Sequence, residues 1–154
     1  MFRAQKKNSE SLKFFVSIGA GLNQIPLIRE AKNQGFHVIG VDASPTAPGF
    51  LSCDLKIQES IENYEDIYQK LIELLVDGEI RGIMTKSYGM AIVSASYLAE
   101  KFRIPFLPFS TSPDFMNKKK MKAIFLESGI PTPDPVHLQG KNPADKIKPH
   151  MFPL

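Results

Sequence analysis

Phe14-Phe15-Val16-Ser17-Ile18-Gly19-Ala20-Gly21-Leu22-Asn23-Gln24 is the stretch on which the reading of this chain turns. A short apolar run over residues 13–18 stops abruptly at a glycine, the pattern of a buried strand entering a tight turn. Helical spacing follows over 24–34, where Ile25, Ile28 and Ala31 share one face. Pro26 falls in the first turn of that helix, where its missing N–H costs nothing, and Gly35 closes it. Phe36-His37-Val38-Ile39-Gly40-Val41 then reads as a second strand ending at Asp42. Strand, helix and strand in so short a span make a βαβ unit.

The alternation continues. Two prolines and a glycine mark 43–52 as a loop. Cys53 to Ile57 predicts a short third strand, and 61–76 an amphipathic helix with Ile61, Tyr64, Ile67, Tyr68, Leu71 and Leu75 on one stripe. Gly82 to Thr85 predicts a fourth strand, Gly89 to Phe102 a helix, and Ile104 to Leu107 a fifth strand between prolines. The expected fold is α/β, a Rossmann-like parallel sheet of about five strands with helices on both faces. Ser112-Pro113-Asp114 predicts the start of a further helix, running to Ser128 with Met121, Ile124 and Phe125 buried and Gly129 as its cap. Val136 to Leu138 is expected to be a strand. The domain boundaries follow: a flexible arm over 1–12, the sheet domain over 13–111, and a linker helix with the beginning of another domain over 112–154.

Composition narrows the function. A chain of 154 residues with net charge +3 lacks the clustered basic face of a nucleic-acid binder, and no apolar run is long enough to span a membrane. The polar start has no apolar signal core. Cys53 is the only cysteine, which fits a reducing compartment and a cytoplasmic location. His37, His137 and His150 have no ligand-like spacing, so no metal site is expected in this chain.

In an open parallel sheet, ligands lie beyond the carboxyl ends of the strands, where the strand order reverses. With the first and fourth strands as neighbours, Gly19, Ala20 and Gly21 would face Thr85, Lys86, Ser87 and Tyr88 across one crevice, flanked by Asp42. Backbone N–H groups over Gly19–Gln24, with Asn23 among them, would favour an anionic ligand. Gly19-x-Gly21 is the first half of a dinucleotide fingerprint, and Asp42 sits at the distance expected of a ribose-binding acid. Gln24, however, occupies the third glycine position. The glycines could equally do no more than make the turn, Asp42 cap a loop, and Lys86 and Tyr88 decorate the surface.

Taken in order, Gly19 to Ile28, Gly35 to Asp42, Pro45-Thr46-Ala47-Pro48-Gly49-Phe50, Gly82 to Thr85, Ala99-Glu100-Lys101, and Asn117-Lys118 leading to Gly129-Ile130-Pro131-Thr132-Pro133 closely resemble the N-terminal, pre-ATP-grasp domain of ATP-grasp ligases. Carbamoyl-phosphate synthase large-subunit-like proteins are the subgroup most resembled. The resemblance covers about residues 13–135. It implies a parent enzyme that uses ATP and magnesium to turn a carboxylate into an acyl phosphate, which an amine then attacks. It implies that Gly19, Ala20, Gly21, Asn23, Gln24, Asp42, Ser87 and Tyr88 contribute to binding a small-molecule carboxylate, and that Lys118 contacts ATP phosphate. The catalytic and metal-binding parts of the family are expected outside this chain, with the remaining ATP-grasp domain as partner and a homodimer possible. Two features depart from the family pattern: Asn117 replaces the usual acidic residue before the lysine, and 87–89 lack the usual acidic character. On this reading the chain is an N-terminal portion of a ligase, catalytically silent by itself and binding no cofactor tightly. The rivals are an NAD(P)-binding module of an oxidoreductase and a regulatory or scaffold domain that kept the sheet alone.

Overall fold

The computed structural model describes residues 11–75 and 78–133. Strands β1 (Leu12–Ile18), β2 (His37–Asp42), β3 (Leu55–Gln58) and β4 (Gly78–Met84) form one parallel sheet in the order β3-β2-β1-β4. The order reverses at β1, so the βαβ unit lies on one side of that strand and β4 on the other.

The alternation of side chains along β1 explains the layering. Phe14, Val16 and Ile18 point to one face and Phe15 to the other, as the two-residue period of a strand requires. On the first face, α2 (Tyr64–Leu74) and α3 (Met90–Lys101) bury Ile67, Leu71, Ala91, Ala95 and Leu98 against Val16, Ile18, Ile39, Val41 and Ile83. On the second, α1 (Ile25–Asn33) buries Ile28 and Ala31 against Phe15 and Val38. A fully buried Ile or Leu contributes ~1.5–3 kcal/mol, so this central layer carries most of the driving force for folding. Gly35, at φ +85°, closes α1 in a conformation that side-chain-bearing residues rarely adopt.

Several expected elements differ. Ile104–Leu107 is not a strand, and among the described residues the sheet has four strands rather than five. Pro105 removes one of the donors that a ladder needs, and Pro108 follows the segment directly. Ile104 and Phe106 still pack against the core, so the apolar character of the segment was read correctly and its backbone role was not. The helix expected from Ser112 to Ser128 is broken into two pieces. A 3-10 turn spans Ser112–Met116, Asn117 is extended, and α4 covers Lys118–Glu127. Ser112 does not cap a helix: it is buried, and its hydroxyl donates to the Phe109 carbonyl at 2.9 Å. The cap is Asn117, whose Oδ1 accepts from the Lys119 and Lys120 N–H groups at 3.0 and 3.1 Å. No residue of α4 is buried, so the expected inner face of Met121, Ile124 and Phe125 is only partly covered. The expected strand over 136–138 lies outside the described residues.

By its contacts the chain divides between Met116 and Asn117 into two compact units. In the second unit, the Lys122 ammonium donates to the Thr132 hydroxyl at 2.6 Å and to the Pro133 carbonyl, tying the chain after Gly129 back to α4.

Candidate functional site

A cleft of about 670 Å³ opens at the carboxyl ends of β1 and β2. Gly19, Gly21, Leu22, Asn23, Gln24 and Asp42 line it from the turn after β1 and the end of β2, and Ser87 lines it from beyond β4. A second cavity, of about 650 Å³, lies between the first half of β4 and residues 102–105. It sits at the amino end of its strand, the wrong end for ligand binding in a parallel sheet, so the first cleft is the candidate site.

The turn is built in layers. Gly19, at φ +95°, receives a hydrogen bond on its carbonyl from the Ser17 hydroxyl at 2.8 Å and donates its N–H to the Val41 carbonyl at 2.8 Å. Ala20 is fully buried and both of its backbone groups are engaged. Its N–H donates to Asp42 Oδ2 at 2.9 Å, and its carbonyl accepts from the Gly49 N–H at 2.7 Å. A Cβ on Gly49 would stand 2.6 Å from that carbonyl oxygen, so only glycine lets the 47–53 loop close this far onto the turn. Ala20 therefore shapes the turn from inside, while Gly19, Gly21 and Asn23 present the surface. Asp42 is held by two donors: Ala20 on Oδ2, and the Ser44 N–H on Oδ1 at 3.0 Å.

Gln24 joins the two sides of the crevice. It is 2 % exposed, and its Nε2 donates to Ser87 Oγ at 2.9 Å and Thr85 Oγ1 at 3.3 Å. Its Oε1 accepts from the Lys86 N–H at 3.0 Å. Every donor of that amide is spent inside the protein, so Gln24 acts as a strut between the β1 turn and the tip of β4. Its side chain also lies against Gly19, 3.4 Å from the position a Cβ there would take, where a dinucleotide pyrophosphate would need close approach to the glycine turn. The Ser87 hydroxyl accepts from Gln24 and keeps its own proton to donate.

Other expected residues stand apart from the cleft. Tyr88 is 91 % exposed and is not among the lining residues. Lys86 is exposed and meets the site through its backbone N–H alone. Lys118 is exposed at the start of α4 in the second unit, whose first turn carries no acidic residue. Sequence reasoning missed Ala43, Pro48, Ser60 and Ile61, which complete the lining. Ile61 was assigned to a helix, but α2 begins at Tyr64, and the buried Ser94 hydroxyl of α3 donates to the Ile61 carbonyl instead. No spacing pattern could have signalled that long-range tether.

Two carboxylates next to the sheet are tuned by their neighbours. Glu59, at the end of β3, is held down to about 2 by hydrogen bonds from the Lys70 ammonium, the Asn63 amide and the Ser60 N–H. Burial pushes the Asp54 carboxyl up, but the Lys32 ammonium and the Val38 N–H outweigh it and leave it below the ordinary range. Neither lines the cleft. Among the described residues no three His, Cys, Asp or Glu side chains converge as a metal site, and no helix is long and apolar enough to cross a membrane.

Structural comparison identifies the class of fold. Phosphoribosylglycinamide synthetase from Anaerococcus prevotii is similar at 26 % identity and a TM-score of 0.63, over 77 % of this chain and 29 % of the synthetase. L-amino acid ligase from Bacillus licheniformis is similar at 21 % identity and a TM-score of 0.57, over 79 % of this chain and 31 % of the ligase. N5-carboxyaminoimidazole synthetase from Staphylococcus aureus, solved with ADP, is similar at 17 % identity and a TM-score of 0.58, over 77 % of this chain and 30 % of that enzyme. The last two likenesses show the fold. No protein-family model matches the sequence, and no curated protein matches it. The fold is that of the pre-ATP-grasp domain with which ATP-grasp ligases begin, and the resemblance seen in the sequence holds in three dimensions. The chain spans less than a third of the length of these neighbours.

Proposed function

We propose that this chain is the N-terminal domain of an ATP-dependent ligase that joins a carboxylate to an amine. The observation that carries the reading is the Gln24 amide bridging the β1 turn to Thr85 and Ser87, because it makes one cleft at the point where the strand order reverses. Gly19, Gly21, Asn23, Asp42 and Ser87 form the wall that binds and orients the small-molecule substrate. Ala20 and Gln24 hold that wall in place. Lys118 suits an ATP phosphate, since it is an exposed cation at a helix start with no carboxylate in the same turn. ATP supplies the phosphoryl group that makes the carboxylate a good electrophile, and such transfer depends mainly on positioning and positive charge. The magnesium ligands and the adenine site belong to other parts of the ligase; this chain matches less than a third of the length of the structural neighbours. The 154 residues alone are accordingly inactive in ATP turnover. The order of its motifs supports assigning the ligase to the carbamoyl-phosphate synthase large-subunit-like group, and the single cysteine supports a cytoplasmic location. Gln24 against Gly19 counts against the NAD(P)-binding alternative.

The test is hydroxylamine trapping of an acyl phosphate, using the product of the complete reading frame with ATP, magnesium and a panel of carboxylates. ATP-dependent hydroxamate is expected from at least one of them. NAD(H) binding at micromolar concentration, with no hydroxamate from any carboxylate, would overturn the reading.

A further inference from the structure

Resting on the ligase reading, the charge pattern of the cleft points to its substrate class: we propose that it takes a free α-amino acid with an apolar side chain, rather than a phosphorylated substrate. Asp42 is the only ionisable side chain lining the cleft among the described residues; no lysine, arginine or histidine does so. A phosphate monoester brings nearly two negative charges and needs cations or several converging N–H groups to replace its water. Here it would meet a carboxylate.

An α-amino acid fits each part of the lining. Asp42 accepts one hydrogen bond on each oxygen from Ala20 and Ser44, which fixes its plane and leaves about two acceptor sites for an ammonium. The ligand carboxylate is served by neutral donors. The Ser87 hydroxyl keeps its proton, the Asn23 side chain makes no hydrogen bond among the described residues, and Asn23 lies in the turn that opens α1, where backbone N–H groups favour an anion. The apolar side chain is served by Leu22, Pro48 and Ile61, which also line the cleft. Leu22 is 73 % exposed, so its side chain is open to a ligand. A volume of about 670 Å³ leaves room for such a ligand with its reaction partner.

Calorimetric titration of the complete gene product tests this, with L-leucine, N-acetyl-L-leucine and D-ribose 5-phosphate as probes. L-leucine should bind saturably, and removal of its positive charge in N-acetyl-L-leucine should weaken binding at least tenfold. D-ribose 5-phosphate should bind at least tenfold more weakly than L-leucine. Asp42→Asn should abolish the preference for the free amine. Leu22→Ser, at an exposed position that folding does not depend on, should weaken L-leucine about three- to tenfold. Equal binding of the acetylated and free forms, tighter binding of the sugar phosphate, or no L-leucine binding would each overturn the proposal. ATP-dependent hydroxamate from some carboxylate without L-leucine binding would sink the amino-acid assignment and leave the ligase reading standing. L-leucine binding with the expected preferences and no hydroxamate from any carboxylate would do the reverse.

Discussion

The Gln24 side-chain amide donates to the Ser87 hydroxyl at 2.9 Å, joining residues 63 positions apart and closing the crevice between the turn after β1 and the tip of β4. A glutamine where a nucleotide-binding turn carries its third glycine thus becomes a structural tie. Gln24→Ala leaves the Lys86 N–H and the Ser87 hydroxyl without their partner, while the Thr85 hydroxyl keeps the Ser87 N–H. The expected loss is about 1–3 kcal/mol of stability, read by urea unfolding, together with faster amide exchange at Lys86. Unchanged exchange there would show that the tie is not what orders the tip.

The glycines differ sharply in what they tolerate. Gly49→Ala drives a methyl to 2.6 Å from the Ala20 carbonyl and 3.0 Å from Ile28 Cδ1, and should cost ~1–3 kcal/mol. Gly21→Ala meets nothing within 4 Å and sits at φ −68°, so its melting temperature should match the parent within about 2 °C. Differential scanning fluorimetry on the pair gives a direct comparison.

Glu59 should make the domain sensitive to acid. Its carboxyl is held at about 2, against an ordinary 4.5, so the unfolded chain takes up the proton more readily than the folded one. Its stabilising contribution is complete above about pH 4.5 and disappears as pH falls toward 2. Glu59→Gln removes that dependence. Between pH 5 and 3, the urea midpoint of the variant should fall less than that of the parent.

Cys53 should react slowly. Burial, and then the neighbouring Asp54 charge, push its thiol from 9.0 up to about 11, and its S–H points to the Gly49 carbonyl at 3.3 Å. At pH 8 that leaves about a hundredfold less thiolate than an unperturbed cysteine. Labelling with a disulfide reagent should be correspondingly slow and should accelerate in urea. Rapid labelling of the native protein would contradict this environment.

Asn117→Ala removes the acceptor for two N–H groups of α4 and should cost about 0.5–2 kcal/mol of helix stability. Asn117→Asp should preserve it, since an anion at a helix start is favoured. Amide exchange over residues 119–121 distinguishes the two variants.

How much the amino-acid order dictated can be judged from particular residues. The alternation of Phe14, Phe15, Val16 and Ile18, the glycine at 19, and the helical spacing of Ile28 and Ala31 specified a buried strand, a tight turn and an amphipathic helix, because each depends only on neighbours a few positions away. They also implied where the crevice would lie, once β1 was taken as the reversal point. Tertiary structure alone decided the rest. Ile104 and Phe106 pack on the core without adding a fifth strand to the described sheet. The helix after Ser112 breaks because Asn117 caps better than it propagates. Gln24 meets Ser87, Gly49 meets Ala20, and Ser94 reaches Ile61 through contacts between residues far apart in sequence. Local pattern encodes backbone conformation, whereas the pairing of polar groups across a cleft depends on which distant residues folding brings within hydrogen-bonding reach.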